Sequence, residues 1–218
     1  MQLDVYNYKG IKSAKIEVSA DIFDIEPNEA VVHQTLVMQQ ANKRLGTAST
    51  KTRGEVNRSS RKLYAQKHTG RARRGAADSP VLVGGGVAFG PKPRSYHKDM
   101  PKKMRRLAIK SVLSDRAASG RLKVIDKFDF DAPRTAELQG ILVALGIGST
   151  VLIATVNGQE NLIMSAMNLP GVKTVPARLL NVNEMLSCRE LLLSEAAVKV
   201  VEEVWGKKEQ SETAAKAE

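Results

Sequence analysis

Twelve side chains that could hold an anion fall within residues 46–98: Lys51, Arg53, Arg58, Arg61, Lys62, Lys67, Arg71, Arg73, Arg74, Lys92, Arg94 and Lys98. They are spread along the stretch rather than clumped. Spread charge suits a segment that follows a polyanionic backbone and releases a counterion at each charge it neutralises. Each arginine adds a planar fork that fits a phosphate bidentately and can lie flat on a base. Only Glu55 and Asp78 oppose these cations, so the stretch carries +10 of the chain's net +11. Tyr64, His68, Phe89 and Tyr96 are interleaved with the charges and could stack on unpaired bases. For Phe89 and Tyr96, anchoring the stretch to a folded body is an equal alternative. Half of the sixteen glycines also lie here, which permits positive φ and close approach of the backbone to RNA.

Other chemistry is hard to assemble. The glycine cluster Gly84-Gly85-Gly86 with Gly90 leads into Pro91 and Pro93, which do not open a helix, so it fails as a dinucleotide fingerprint. No G-x-x-x-x-G-K-[ST] string occurs, and Leu145-Gly-Ile-Gly-Ser149 precedes a strand pattern instead of following one. The three histidines are scattered, and His33 reads as a packing or surface residue of a helix. The single Cys188 excludes a disulfide framework, and no Cys/His cluster has zinc spacing. The start Met-Gln-Leu-Asp lacks the pattern of a secretory signal, and no apolar run approaches bilayer length. These features predict a non-enzymatic protein of a reducing, cytoplasmic compartment, with no cofactor, no metal and no membrane partner.

The elements that must position the basic stretch are legible on both sides of it. Residues 3–6 and 14–18 alternate apolar and polar around a turn at 7–10, a hairpin signal. Asn28 reads as the N-cap of a helix running to Arg44 or Leu45, with Val31, Met38 and Leu45 spaced by sevens. Gly46 stops it. Pro101 then stands at the first position of a second helix, ended by Gly120. Lys102, Lys103, Arg105, Arg106 and Lys110 on that helix extend the anionic contact surface. From there strands at 122–126, 151–155, 172–175, 179–182 and 191–194 alternate with helices at 133–145 and 159–167, a helical turn at 184–187, and a last helix capped by Ser194. This alternation predicts an α/β body, a mainly parallel sheet between two helical layers. It is built from residues 1–45 and 99–206, with 46–98 as an inserted extended loop and 207–218 as a flexible tail. The loop buries too little apolar surface to repay its ordering entropy, so it is expected to be ordered only where RNA surrounds it. Folded back on itself it would span roughly 80 Å at ~3.3 Å per residue.

Several ordered strings carry a specific resemblance. Gln66-Lys67-His68-Thr69-Gly70-Arg71-Ala72-Arg73-Arg74-Gly75, Gly84-Gly85-Gly86-Val87-Ala88-Phe89-Gly90-Pro91-Lys92-Pro93-Arg94 and Pro101-Lys102-Lys103-Met104-Arg105-Arg106-Leu107-Ala108 closely resemble the bacterial form of the large-subunit ribosomal protein L-four family. Lys51-Thr52-Arg53-Gly54-Glu55-Val56 resembles that family's entry to the arm. The likeness spans essentially the whole chain. It implies a primary binder of large-subunit ribosomal RNA that acts early in assembly. It also implies an arm reaching the wall of the nascent-peptide exit tunnel, with Gln66, Lys67, His68 and Thr69 at the tip near the macrolide-binding region. Implied partners are that RNA, neighbouring large-subunit proteins and the nascent peptide, without homo-oligomerisation. His68 departs from the glycine common at the tip. Asp78-Ser79-Pro80-Val81-Leu82-Val83 departs from the aromatic or basic residues common before the triple glycine. The alternatives are a free nucleic-acid chaperone or RNA-binding regulator, including control of the protein's own operon, and a nucleotide-dependent enzyme using the sheet.

Overall fold

The computed structural model describes residues 1–128, 130, 132–156 and 159–206; the tail expected at 207–218 lies outside the described residues. The chain divides into two compact units, residues 41–98 and the remainder on either side of them.

The larger unit opens with a hairpin, β1 (Gln2–Tyr6) against β2 (Lys12–Glu17). Asn7 turns the chain: its Oδ1 accepts from the N–H groups of Lys9 and Ile11, and Gly10 takes the left-handed φ of 74° that closes the turn. A four-residue helix, α1 (Ala20–Phe23), follows and buries Ile22 and Phe23 completely. Helix α2 (Glu29–Asn42) starts where the sequence places its cap, since Asn28 Oδ1 accepts from the Val31 N–H at 3.1 Å. It ends at Asn42, short of the expected Leu45, which is 87% exposed.

After residue 98 come α3 (Lys102–Ala118), β3 (Leu122–Ile125), α4 (Thr135–Ala144), β4 (Val151–Thr155), α5 (Glu160–Met167), β5 (Val172–Pro176), α6 (Val182–Ser187), β6 (Glu190–Ser194) and α7 (Glu195–Trp205). The six strands form one sheet in the order β2-β1-β3-β6-β4-β5, with every pair parallel except the β1/β2 hairpin. Alternate strand residues enter two cores. Val124, Leu152, Ala154, Leu191 and Leu193 pack with α1, α3, α6 and α7; Ile125, Ile153, Val151 and Leu192 pack with α4 and α5. All of β4 is buried, which is why its sequence is a continuous apolar run and not an alternating one.

The strand expected at 179–182 is absent. Ala177–Leu179 forms a 3-10 turn, and Asn181 caps α6 by accepting the Glu184 N–H at 2.9 Å. A capping Asn with Glu three residues on outweighs the apolar Leu179-Leu180 pair. Pro101 sits one position outside α3, at the N-cap. Buried hydroxyls and one buried cation tie the α3 layer. Ser114 Oγ accepts from the Ile25 N–H and donates to the Ile22 carbonyl, and the Arg116 guanidinium donates to the carbonyls of Met185, Cys188 and Arg189. Burial pushes the Arg116 pKa below its ordinary value, and those three carbonyls are its compensation.

Candidate nucleic-acid interface

The smaller unit is a folded-back arm whose two sides bond to each other at successive levels. At its neck the Asn42 side chain both accepts the Lys98 N–H, at 2.8 Å, and donates to the Lys98 carbonyl, at 3.2 Å. The Arg94 N–H donates to the Gly46 carbonyl. Two guanidinium groups lie over the Tyr96 ring, Arg44 at 3.9 Å and Arg94 at 4.5 Å from its centroid. A hydrogen bond from Arg94, with the charges of Arg94 and Arg44, lowers the Tyr96 pKa.

Further out, Thr50 and Lys51 pair with Pro91 and Val87 through backbone hydrogen bonds. Glu55 Oε2 accepts from the Thr52 N–H and forms an ion pair with Lys92 at 2.5 Å. That ion pair, with the Thr52 hydrogen bond, brings the Glu55 pKa down to about 2. Asp78, its side chain 7% exposed, accepts from Arg53 Nε at 3.0 Å. Arg58 donates to the carbonyls of Ala77 and Val83. Nearer the tip, Lys62 and Ala76 form an antiparallel bridge, and the Tyr64 hydroxyl donates to the Ala72 carbonyl. The arm therefore has internal order that its composition did not announce. It comes from polar cross-links, for Ala76 is its one buried apolar residue.

The glycines sharpen this. A Cβ at Gly85 would meet the Ser79 carbonyl oxygen at 1.9 Å, and one at Gly86 would meet the Arg53 backbone at 2.3 Å. The close approach they permit is to the arm's own chain, whereas the sequence suggested an approach to RNA. Gly84, with φ 74°, faces the Arg58 guanidinium in the same way.

The anion-binding residues picked out from sequence thus divide by position. Arg53, Arg58 and Lys92 hold the arm together, and Arg94 braces Tyr96. Lys51, Arg61, Lys62, Lys67, Arg71, Arg73, Arg74 and Lys98 are exposed without a carboxylate partner among the described residues. Both acids of the arm are consumed by Arg53 and Lys92, so ten cations are left uncompensated. The tip, Gln66, Lys67, His68, Thr69 and Gly70, is exposed, with positive φ at His68 (66°) and Gly70 (63°). Among the four aromatic candidates, Tyr64 is tied across the tip and Tyr96 is covered by two arginines. Phe89 has φ 52° and is fully exposed at 106%, so it anchors nothing. Exposed bulky side chains on left-handed backbone cost about 1–3 kcal/mol and concentrate at functional sites. Val81 and Val83 are also exposed, at 87% and 96%.

In the larger unit, Lys102, Lys103, Arg105 and Arg106 are exposed on the first two turns of α3. Their helix has no acid in its first turn, unlike α1, α2, α4, α5, α6 and α7. Two lysines at the positive end of a helix dipole are electrostatically unfavourable until an anion arrives. Sequence reasoning missed the Asn42 clasp, the guanidinium groups over Tyr96 and the buried Asp78 brace, because each joins residues far apart in the chain. Among the described residues no helix is long and apolar enough to cross a membrane.

The chain is similar to known proteins along most of its length. The profile of the Ribosomal protein L4/L1 family matches residues 16–204. The chain is 54% identical over 208 residues to the large ribosomal subunit protein uL4 of Dehalococcoides mccartyi, covering 95% of this chain and 99% of that one. It is 47% identical over 201 residues to the protein of that name from Heliobacterium modesticaldum, covering 92% and 97%. A family match across most of the chain, with identity this high along nearly the full length of both relatives, places the protein: it belongs to the Ribosomal protein L4/L1 family.

Proposed function

We propose that the chain binds large-subunit ribosomal RNA directly and early in subunit assembly, using arm 46–98 and the basic start of α3, and that the arm tip lines part of the nascent-peptide exit tunnel. Family membership already makes it a structural ribosomal protein and not an enzyme. The observation that carries the RNA reading is the charge account of the arm: each acid is spent on an internal brace, and ten cations are left over. A folded segment so charged repels itself unless a polyanion neutralises it. The exposed Phe89 and His68 rings supply stacking surfaces beside those charges, and neighbouring large-subunit proteins or RNA would cover Val81 and Val83. A closed hairpin end free of acids suits the tip to a narrow RNA-walled passage.

The test is the salt dependence of binding to large-subunit ribosomal RNA. With six or more phosphates neutralised, affinity should fall by about a thousandfold or more between 50 and 200 mM salt. Replacing Arg71, Arg73 and Arg74 with Ala should flatten the log–log slope by roughly 2–3. A salt-independent affinity would overturn the electrostatic reading. For the tunnel assignment, a photo-crosslinker at Lys67 in assembled subunits should label both the RNA and a stalled nascent peptide. Labelling of neither would remove the tip from the tunnel.

A further inference from the structure

The larger unit has a cavity of about 300 Å³ beside the basic start of α3. Its mouth carries Lys102, Arg105 and Arg106, and none of these has a carboxylate partner among the described residues. Ile109 and Leu180 form apolar walls, and Trp205, at the end of α7, closes one side. The indole Nε1–H of Trp205 is buried and has no acceptor among the described residues. Gln39 also lines the cavity; its side-chain carbonyl oxygen accepts from the Asn183 N–H at 2.9 Å, and its amide N–H groups are available to donate.

Three cations and an amide donor, set around apolar walls that include an indole ring, ask for one kind of ligand. It must carry negative charge at the mouth, acceptor atoms inside, and a flat apolar face. A volume near 300 Å³ sits at the low end of small-ligand pockets. We infer that this cavity receives a single unpaired nucleotide of the bound RNA, its phosphate on Lys102, Arg105 and Arg106 and its base against the Trp205 ring. An unpaired base is the form of RNA that offers both a stacking face and free acceptor edges. The inference rests on the proposed RNA binding and adds to it a base-sized site on the body, apart from the phosphate-following arm. An acidic side chain of a neighbouring protein matches the charge but leaves the apolar walls and the indole face without a use.

Trp205 is the chain's one tryptophan, so its fluorescence reports on this cavity alone. The full chain would be titrated with a single-stranded oligonucleotide, with inorganic phosphate and with an acidic peptide, while bulk RNA binding is followed separately by gel shift. The oligonucleotide should quench Trp205 and shift its Nε1–H resonance; phosphate should do so weakly and the peptide not at all. The exposed pair R105A/R106A should weaken the quenching affinity by about ten- to a hundredfold. The arm triple replacement of Arg71, Arg73 and Arg74 should weaken the gel shift and leave quenching by short oligonucleotides unchanged. Normal RNA binding with an unresponsive Trp205, or a response to the peptide alone, would overturn the pocket and leave the RNA reading standing. Failure of the gel shift itself would overturn the RNA reading.

Discussion

The sheet body and the basic arm solve the same problem with opposite means. In the body, every residue of β4 is buried, and Leu191, Leu192 and Leu193 of β6 are at most 2% exposed. In the arm one alanine is buried, and cohesion falls to Arg53–Asp78, Lys92–Glu55, the Asn42 clasp and glycines that let backbones touch. Burial is non-directional and roughly proportional to area, so a body held by it tolerates changes of salt and pH. Polar cross-links are directional, and exposed ones are weak singly. The difference predicts how one chain can hold a packed core and still present ten uncompensated cations: the charged part should contribute little to the stability of the fold.

Substitutions can break that contrast. The largest effect belongs to the central strand. Ile153→Ala should cost about 2–5 kcal/mol of global stability, read by denaturant unfolding. Arg116→Ala should cost about 2–3 kcal/mol in the same measurement, because two buried carbonyls and one partly buried one lose their donor. Gly86→Ala should strain the arm by about 1–3 kcal/mol, since its Cβ meets the Arg53 backbone. Its signature should be weaker RNA binding with an unchanged melting temperature of the body. Val83→Ala should alter folding stability by no more than ~0.5 kcal/mol. A drop of several kcal/mol there would show that the arm shares the body's core.

The smallest effect is a pH dependence confined to the arm. The Glu55 carboxyl is lowered from 4.5 to about 2 in the folded arm. The brace it forms is therefore fully present above about pH 4.5 and fades as pH falls toward 2. The amide resonance of Thr52, whose N–H donates to Glu55, should titrate near pH 2 and not at all in Glu55→Gln. Titration of Thr52 near pH 4.5 in the unsubstituted protein would mean that Lys92 does not hold Glu55.

How much of this could be read in advance follows the same division. The run Val151-Leu152-Ile153-Ala154-Thr155 and the caps Asn28 and Ser194 are local signals, and the structure agrees with each. Leu179-Leu180 misled because two apolar residues look alike in a strand and in a turn packed on a core. The helix α1 is a single turn, too short to show a period. In the arm, the residue types were legible and their division of labour was not. Asp78 looked like a departure from an anion-binding surface, yet it is the buried partner of an arginine 25 residues away. The triple glycine correctly signalled close approach, and nothing local could say that the arm itself was the neighbour. The cavity at Trp205 draws on α2, α3, the 180–181 link and α7, a juxtaposition only the fold creates.

The central claim, that the body is stabilised without the arm, is tested most directly by replacing residues 46–98 with a short glycine–serine linker. The ends permit it, since the Arg94 N–H reaches the Gly46 carbonyl at 3.2 Å and Asn42 holds Lys98. The shortened chain should unfold in one cooperative transition within about 1 kcal/mol of the full chain, loop length itself mattering little. Its affinity for large-subunit ribosomal RNA should fall steeply. A chain that fails to fold, or that loses several kcal/mol, would show that the arm belongs to the core and would contradict the division of labour between the two units.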